Sequence, residues 1–182
     1  MTNSESYEHL KEETLETDEI FDGRVIRVTH DKVRLPNGGT SYREIVHHNG
    51  AVALIPLHED HLYFVRQFRL PTGEVLLEIP AGKVERDEAP DATAKKELKE
   101  EIGAVSSKIR KLYEFYTAPG FASELIHLYI AEDLEFEAQA LEEDEFIDIE
   151  KIHIDSLQAA LDEGRFRDAK TIIAVQYVLS HL

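Results

Sequence analysis

The 182-residue chain contains no cysteine and no tryptophan, and only one methionine. Without cysteine there is no disulfide framework, no thiol nucleophile and no zinc–thiolate site. No apolar run is long enough to cross a membrane as a helix. The polar start MTNSESYEHLKEE lacks the build of a secretory leader, so a cytoplasmic protein is expected. Basic residues are scarce: 20 Lys and Arg stand against 37 Asp and Glu, a formal net charge of −17. A surface of that sign repels phosphate backbones and anionic lipid, which argues against nucleic-acid and membrane partners. The nine histidines show no metal-ligand spacing, and neither a Ser-His-Asp arrangement nor a phosphate-cradling glycine loop stands out.

What is present is a chain of β-rich runs that suits one domain with a small appendage. Residues 1–20 are polar and read as loosely docked. GRVIRVTHDKVRL and SYREIVHH read as strands joined by a PNGG turn, and the first unit is bounded at residues 1–48. A main domain is expected over residues 49–182. Its strands are AVALIPLH, HLYFVRQF, VLLEIPAG, KIRKLYEFYTA, ELIHLYIAED and FIDIEKIHI. The acidic stretch LEFEAQALEEDEFID precedes the last of these. Asp155 is expected to cap a short helix that ends at Gly164, and Asp168 a final apolar helix.

The stretch AGKVERDEAPDATAKKELKEEIGA predicts one more helix. Pro90 suits its first position and Gly103 the left-handed position after its end. Ala94, Leu98 and Ile102 form its apolar stripe. Glu101 falls beside Ala94 on that wheel, Glu97 lies a little further round, and Glu100 points outward. Lys96 and Glu100 form a favourable i,i+4 pair, whereas Glu97 and Glu101 repel at the same spacing. Two carboxylates bordering a buried stripe suit a hard divalent cation; an ordinary solvated acidic face is the competing reading.

The same stretch resembles the Nudix box, Gx5Ex7REUxEExGU with U a bulky apolar residue, through Gly82, Glu88, Glu97, Leu98, Glu100, Glu101 and Gly103. Lys96 departs from the family arginine and Ala104 is smaller than the usual U residue. Lysine keeps the charge but loses the planar fork, so a weaker brace and lower activity are expected. REIVHHNGAVALIPL, VRQFRLPTGEVLLEIPAGKVE, FYTAPGFASELIHLYIAED with Pro119, and EEDEFIDI look like the ADP-ribose pyrophosphatase branch.

That resemblance implies an α/β/α sandwich around a mixed sheet, with an added small N-terminal antiparallel β unit. It implies hydrolysis of the acid anhydride of ADP-ribose to AMP and ribose 5-phosphate with Mg2+, or Mn2+ in its place. The implied metal ligands are Glu97, Glu100, Glu101 and the carbonyl of Ala81; Glu88 is ranked below them. From the acidic loop, Glu143 is implied as general base and Glu145 as a metal contact, an order that also works reversed. Arg43, Arg69 and Phe121 are implied at the substrate. The branch also implies a homodimer whose N-terminal strands cross to the partner. Another nucleoside-diphosphate sugar such as GDP-mannose is the alternative substrate. A non-catalytic nucleotide-sensing module is the alternative of a different class.

Overall fold

The computed structural model describes residues 7–141, 143 and 145–182. The first six residues of the expected N-terminal unit lie outside the described residues. In chain order the elements are β1 (Glu13–Asp22), β2 (Ile26–Arg34), β3 (Thr40–His48), β4 (Ala51–His58), β5 (His61–Arg69), β6 (Glu74–Glu78), β7 (Ala81–Lys83), α1 (Pro90–Ile102), β8 (Ala104–Val105), β9 (Lys108–Tyr116), β10 (Leu125–Glu132), β11 (Glu135–Phe136), β12 (Ile147–His153), α2 (Leu157–Asp162) and α3 (Ala169–His181). They pack as two units: residues up to Asn49 with Ala118–Glu124, and Gly50–Thr117 with Leu125–Leu182.

The smaller unit is an antiparallel sheet in the order β1-β2-β3. β1 corrects the expectation of a loosely docked start. It is ten residues long and exposed throughout, so it carries no apolar alternation for a sequence reading to find. It is held by its backbone ladder and by cross-strand ion pairs. Glu13 meets Arg34 at 3.0 Å, Glu16 meets Lys32 at 3.7 Å and Glu19 meets Arg27 at 3.7 Å. The PNGG turn forms as expected, with Gly38 at φ 84° and the Leu35 N–H donating to the Gly39 carbonyl at 2.8 Å. The PGFAS loop also belongs to this unit, because Val46 and Phe121 join backbones at 2.7 Å and Ser123 donates to Val46 at 2.9 Å.

The larger unit is a sheet in the order β12-β5-β4-β10-β9, with β6 alongside β5 and β7 alongside β4. β4 and β10 run parallel and the other pairs are antiparallel, so the sheet is mixed. Alternation along β4 divides its side chains between two cores. Val52 and Leu54 pack with Ala94, Leu98 and Ile102 of α1. Ala51, Ala53 and Ile55 pack with Leu157 and Ala160 of α2 and Ala174, Val175 and Val178 of α3. Helices therefore cover both faces, and the unit is the expected α/β/α sandwich. Each fully buried large apolar side chain contributes roughly 1.5–3 kcal/mol, so either face supplies enough to fix its helix.

The two C-terminal helices begin differently. Asp168 caps α3, its carboxylate accepting the Thr171 N–H at 3.0 Å. Asp155 does not cap the short helix; its own N–H donates to His153 Nδ1 at 3.2 Å, and a 3-10 turn over Ile154–Ser156 leads into α2. No helix among the described residues is long and apolar enough to cross a membrane.

Candidate active site

The site is built where β7 runs beside the last turn of α1. Pro90 starts the helix, and Gly103 ends it at φ 66° with its N–H on the Lys99 carbonyl at 3.0 Å. Ala94, Leu98 and Ile102 clamp the helix to the sheet. This leaves Glu101 on the edge of the buried stripe, only 3% exposed. Its Oε2 accepts the Ala81 N–H at 3.1 Å. Burial is the largest influence on this carboxyl, followed by the charge of Glu97; Glu145 adds to both, and together they push it up to about 8. The Ala81 N–H and the Arg69 guanidinium act the other way without overcoming them.

Glu97 lies directly over Gly82. A Cβ added at residue 82 would fall 1.8 Å from Glu97 Oε1 and 1.9 Å from its Cδ. The first glycine of the box is thus the floor on which a carboxylate rests. Glu100 is partly exposed and pairs with Lys96 at 3.6 Å, so the lysine braces that glutamate. Glu145 is half-buried and its charge reaches Glu101, whereas Glu143 is exposed in a turn.

Glu97 and Glu145 therefore both act electrostatically on Glu101. Among the described residues, no three His, Asp or Glu side chains already converge as an ion cage. The donor set is oxygen only, one carboxyl is held buried against its preference for water, and a second fills a cradle reserved by a glycine. These features fit a hard divalent cation such as Mg2+. The Ala81 N–H is taken up by Glu101, which leaves its carbonyl as the group expected at the cation.

Arg69 is oriented by a residue that the sequence reading missed. Its Nε and Nη2 donate to the two oxygens of Glu78 at 2.8 and 2.9 Å. Glu78 is 2% exposed and also receives Lys170 of α3, which reaches Asp168 at 2.9 Å. Burial alone would raise the Glu78 carboxyl, but the Arg69 fork and the Lys170 ammonium hold it below the usual carboxylate range. A glutamate inside the apolar run VLLEIP was the available signal. Arg43 and Phe121 lie in the smaller unit. Arg43 bonds Glu12 through Nε at 3.0 Å and through Nη2, and donates from Nη1 to the Tyr42 carbonyl at 2.8 Å. The Phe121 ring is exposed.

Comparison with known proteins matches residues 47–175 to the NUDIX domain and residues 12–46 to the nucleoside diphosphate sugar hydrolase N-terminal domain. A methanol dehydrogenase activator of Bacillus methanolicus is 46% identical over 171 residues, 92% of each chain. An ADP-ribose pyrophosphatase of Bacillus subtilis is 42% identical over 172 residues, 93% of each chain. A GDP-mannose pyrophosphatase of Yersinia pestis is 33% identical over 157 residues, 79% of each chain. The crystal structure of an ADP compounds hydrolase superposes with a TM-score of 0.83 over 93% of this chain and 92% of that one, at 23% identity, a likeness of fold.

Proposed function

The chain belongs to the NUDIX domain family, and from that premise we propose that it hydrolyses the diphosphate of ADP-ribose to AMP and ribose 5-phosphate with Mg2+. The observation that carries this reading is the pair at the end of α1: Glu101 buried on the Ala81 N–H, and Glu97 seated over Gly82. The 42% identity to an ADP-ribose pyrophosphatase over almost the whole chain supports the substrate.

Glu97, Glu101 and Glu145 would hold the cation, with Glu100 and the Ala81 carbonyl completing the set. When bound, the ion supplies positive charge to diphosphate oxygens in a protein of net charge −17. Glu143 takes a proton from the attacking water, whose oxygen bonds to phosphorus as the bridging P–O bond breaks. The bridging oxygen leaves with the departing phosphate and is protonated there. Arg69 adds a fixed positive charge, set in place by Glu78. Arg43 and Phe121 serve substrate binding from the N-terminal unit, over residues 1–48 and the loop that joins it.

The working molecule is a cytoplasmic homodimer with exchanged N-terminal strands. The exposed apolar side chains of β1, Ile20 and Phe21, support that part of the reading. Sedimentation as a monomer at micromolar concentration would remove it. The activity is tested by AMP release from ADP-ribose with Mg2+ present; a purified protein releasing none would refute the function. GDP-mannose is the second reading, favoured by the Yersinia pestis relative. A panel of sugar nucleotides ranked by kcat/KM separates the two.

A further inference from the structure

The acidic stretch after β10 does more than carry glutamates. It runs antiparallel along the end of the carboxylate helix. Glu135 pairs with Val105 and Phe136 with Ala104 as β11 and β8. The pairing then continues past the strand onto the helix. The Glu137 N–H donates to the Gly103 carbonyl at 2.6 Å, Gln139 Nε2 donates to the Glu101 carbonyl at 2.6 Å, and the Ala140 N–H donates to the Glu100 carbonyl at 3.2 Å. Lys99 adds an ion pair to Glu137 at 3.0 Å. The last carbonyls of any helix lack partners within it, and here a single segment takes up two of them and the carbonyl of the Gly103 cap.

Gly103 has a second task in this arrangement. A Cβ there would fall 2.8 Å from the Glu137 carbonyl oxygen and 2.9 Å from the Gln139 nitrogen. Both are backbone atoms, so any side chain would lift the segment away. The glycine that ends the helix also admits the strap.

Gln139 is the one side chain in this ladder, and its target is the main chain of Glu101 itself. A few residues further on the chain reaches Glu143 and Glu145. We infer that the segment Glu137–Ala140 is a strap that sets the distance between the helix carboxylates and the loop carboxylates, with Gln139 as its positioning residue. This rests on the roles proposed above for Glu143 and Glu145. Acidity alone does not explain the segment, because apart from the Lys99–Glu137 ion pair its bonds to the helix use backbone N–H groups and a neutral amide.

The test is a double-mutant cycle in the full chain, read as kcat and KM for ADP-ribose with saturating Mg2+. Gln139→Leu keeps the size of the side chain and removes the donor. It is expected to lower kcat about tenfold, with KM within about twofold, because loop and helix carboxylates lose registration. In a Glu145→Gln background the same change is expected to cost less than about twofold, because the group it positions is already gone. Ala140→Pro, which deletes the N–H bonded to Glu100, is expected to follow the same pattern. If Gln139→Leu costs its full factor in both backgrounds, or lowers melting temperature while sparing kcat, the strap inference fails alone. If Glu145→Gln retains parental kcat, the loop role itself fails and the strap's role fails with it.

Discussion

Gly82→Ala separates the site from the fold. Gly82 is absent from the glycines with positive φ, so alanine meets no backbone strain there. The new Cβ falls 1.8 Å from Glu97 Oε1, well inside contact distance. The atom it meets is the end of a flexible side chain, and the Glu97 carboxylate can retreat by more than ~1 Å through staggered rotamers. The backbone and both cores are untouched. Stability should therefore change by no more than about 1 kcal/mol, a melting shift of about 2–4 °C at this chain length. A displacement of about 1 Å in a catalytic group costs on the order of 10²-fold, so kcat/KM for AMP release should fall by about that factor. Isothermal titration with Mg2+ should show weaker binding in the same variant. Parental kcat/KM with a normal melting curve would refute Glu97 as a ligand. A collapse of the melting temperature would refute the claim that only a side-chain end is in the way.

Other perturbations probe the neighbouring groups. Glu101 holds its proton to about 8 in the folded chain but releases it near 4.5 when unfolded. The folded state thus binds more protons between those values, and stability of the metal-free protein should fall as pH rises through that window, by roughly a few kcal/mol in total. Urea melts from pH 5 to 8.5 check this; a flat profile without metal would refute it, and added Mg2+ should flatten it. Glu101→Gln should lower kcat/KM by roughly 10³-fold, as loss of a charge-stabilising group does, while raising metal-free stability at pH 8. Lys170→Met leaves Glu78 buried with one cation fewer and should cost about 3 kcal/mol, read from the urea midpoint. Lys96→Arg restores a planar fork beside Glu100 and should raise kcat severalfold, by about 1 kcal/mol of barrier.

Sequence reading succeeded where the information is local. Pro90, the stripe Ala94–Leu98–Ile102 and Gly103 each act within a turn or two of themselves, and α1 runs from Pro90 to Ile102 as they imply. Paired carboxylates on that helix were legible for the same reason. β1 was not, because neither of its faces is buried and its order resides in β2, whose Arg34, Lys32 and Arg27 face its glutamates. Asp155 suits a cap by residue type, but the 3-10 turn starts one residue earlier at Ile154, so His153 holds the cap position and its ring accepts the Asp155 N–H.

The contacts that set up the chemistry are the least legible, and the reason is distance along the chain. Glu78 meets Lys170 across 92 residues and the Gln139 amide meets the Glu101 carbonyl across 38. A sequence displays a lone glutamate in an apolar strand, or a glutamine in an acidic run, without its partner. Each is nevertheless costly to leave unexplained. A carboxylate at 2% exposure, as at Glu78, is unfavourable by several kcal/mol unless cations answer it. A helix end likewise leaves carbonyls that must find donors. The box supplies the carboxylates, and these two distant contacts brace groups beside them. Glu78 fixes Arg69 from one side, and Gln139 ties the main chain of Glu101 from the other. A chain that kept every box residue but lost Glu78 and Gln139 should therefore still fold its helix and still present its carboxylates, yet hydrolyse slowly. The double variant Glu78→Gln with Gln139→Leu tests this: α1 should remain by circular dichroism while kcat falls by more than about 10²-fold, and near-parental turnover would show that the box alone sets the geometry.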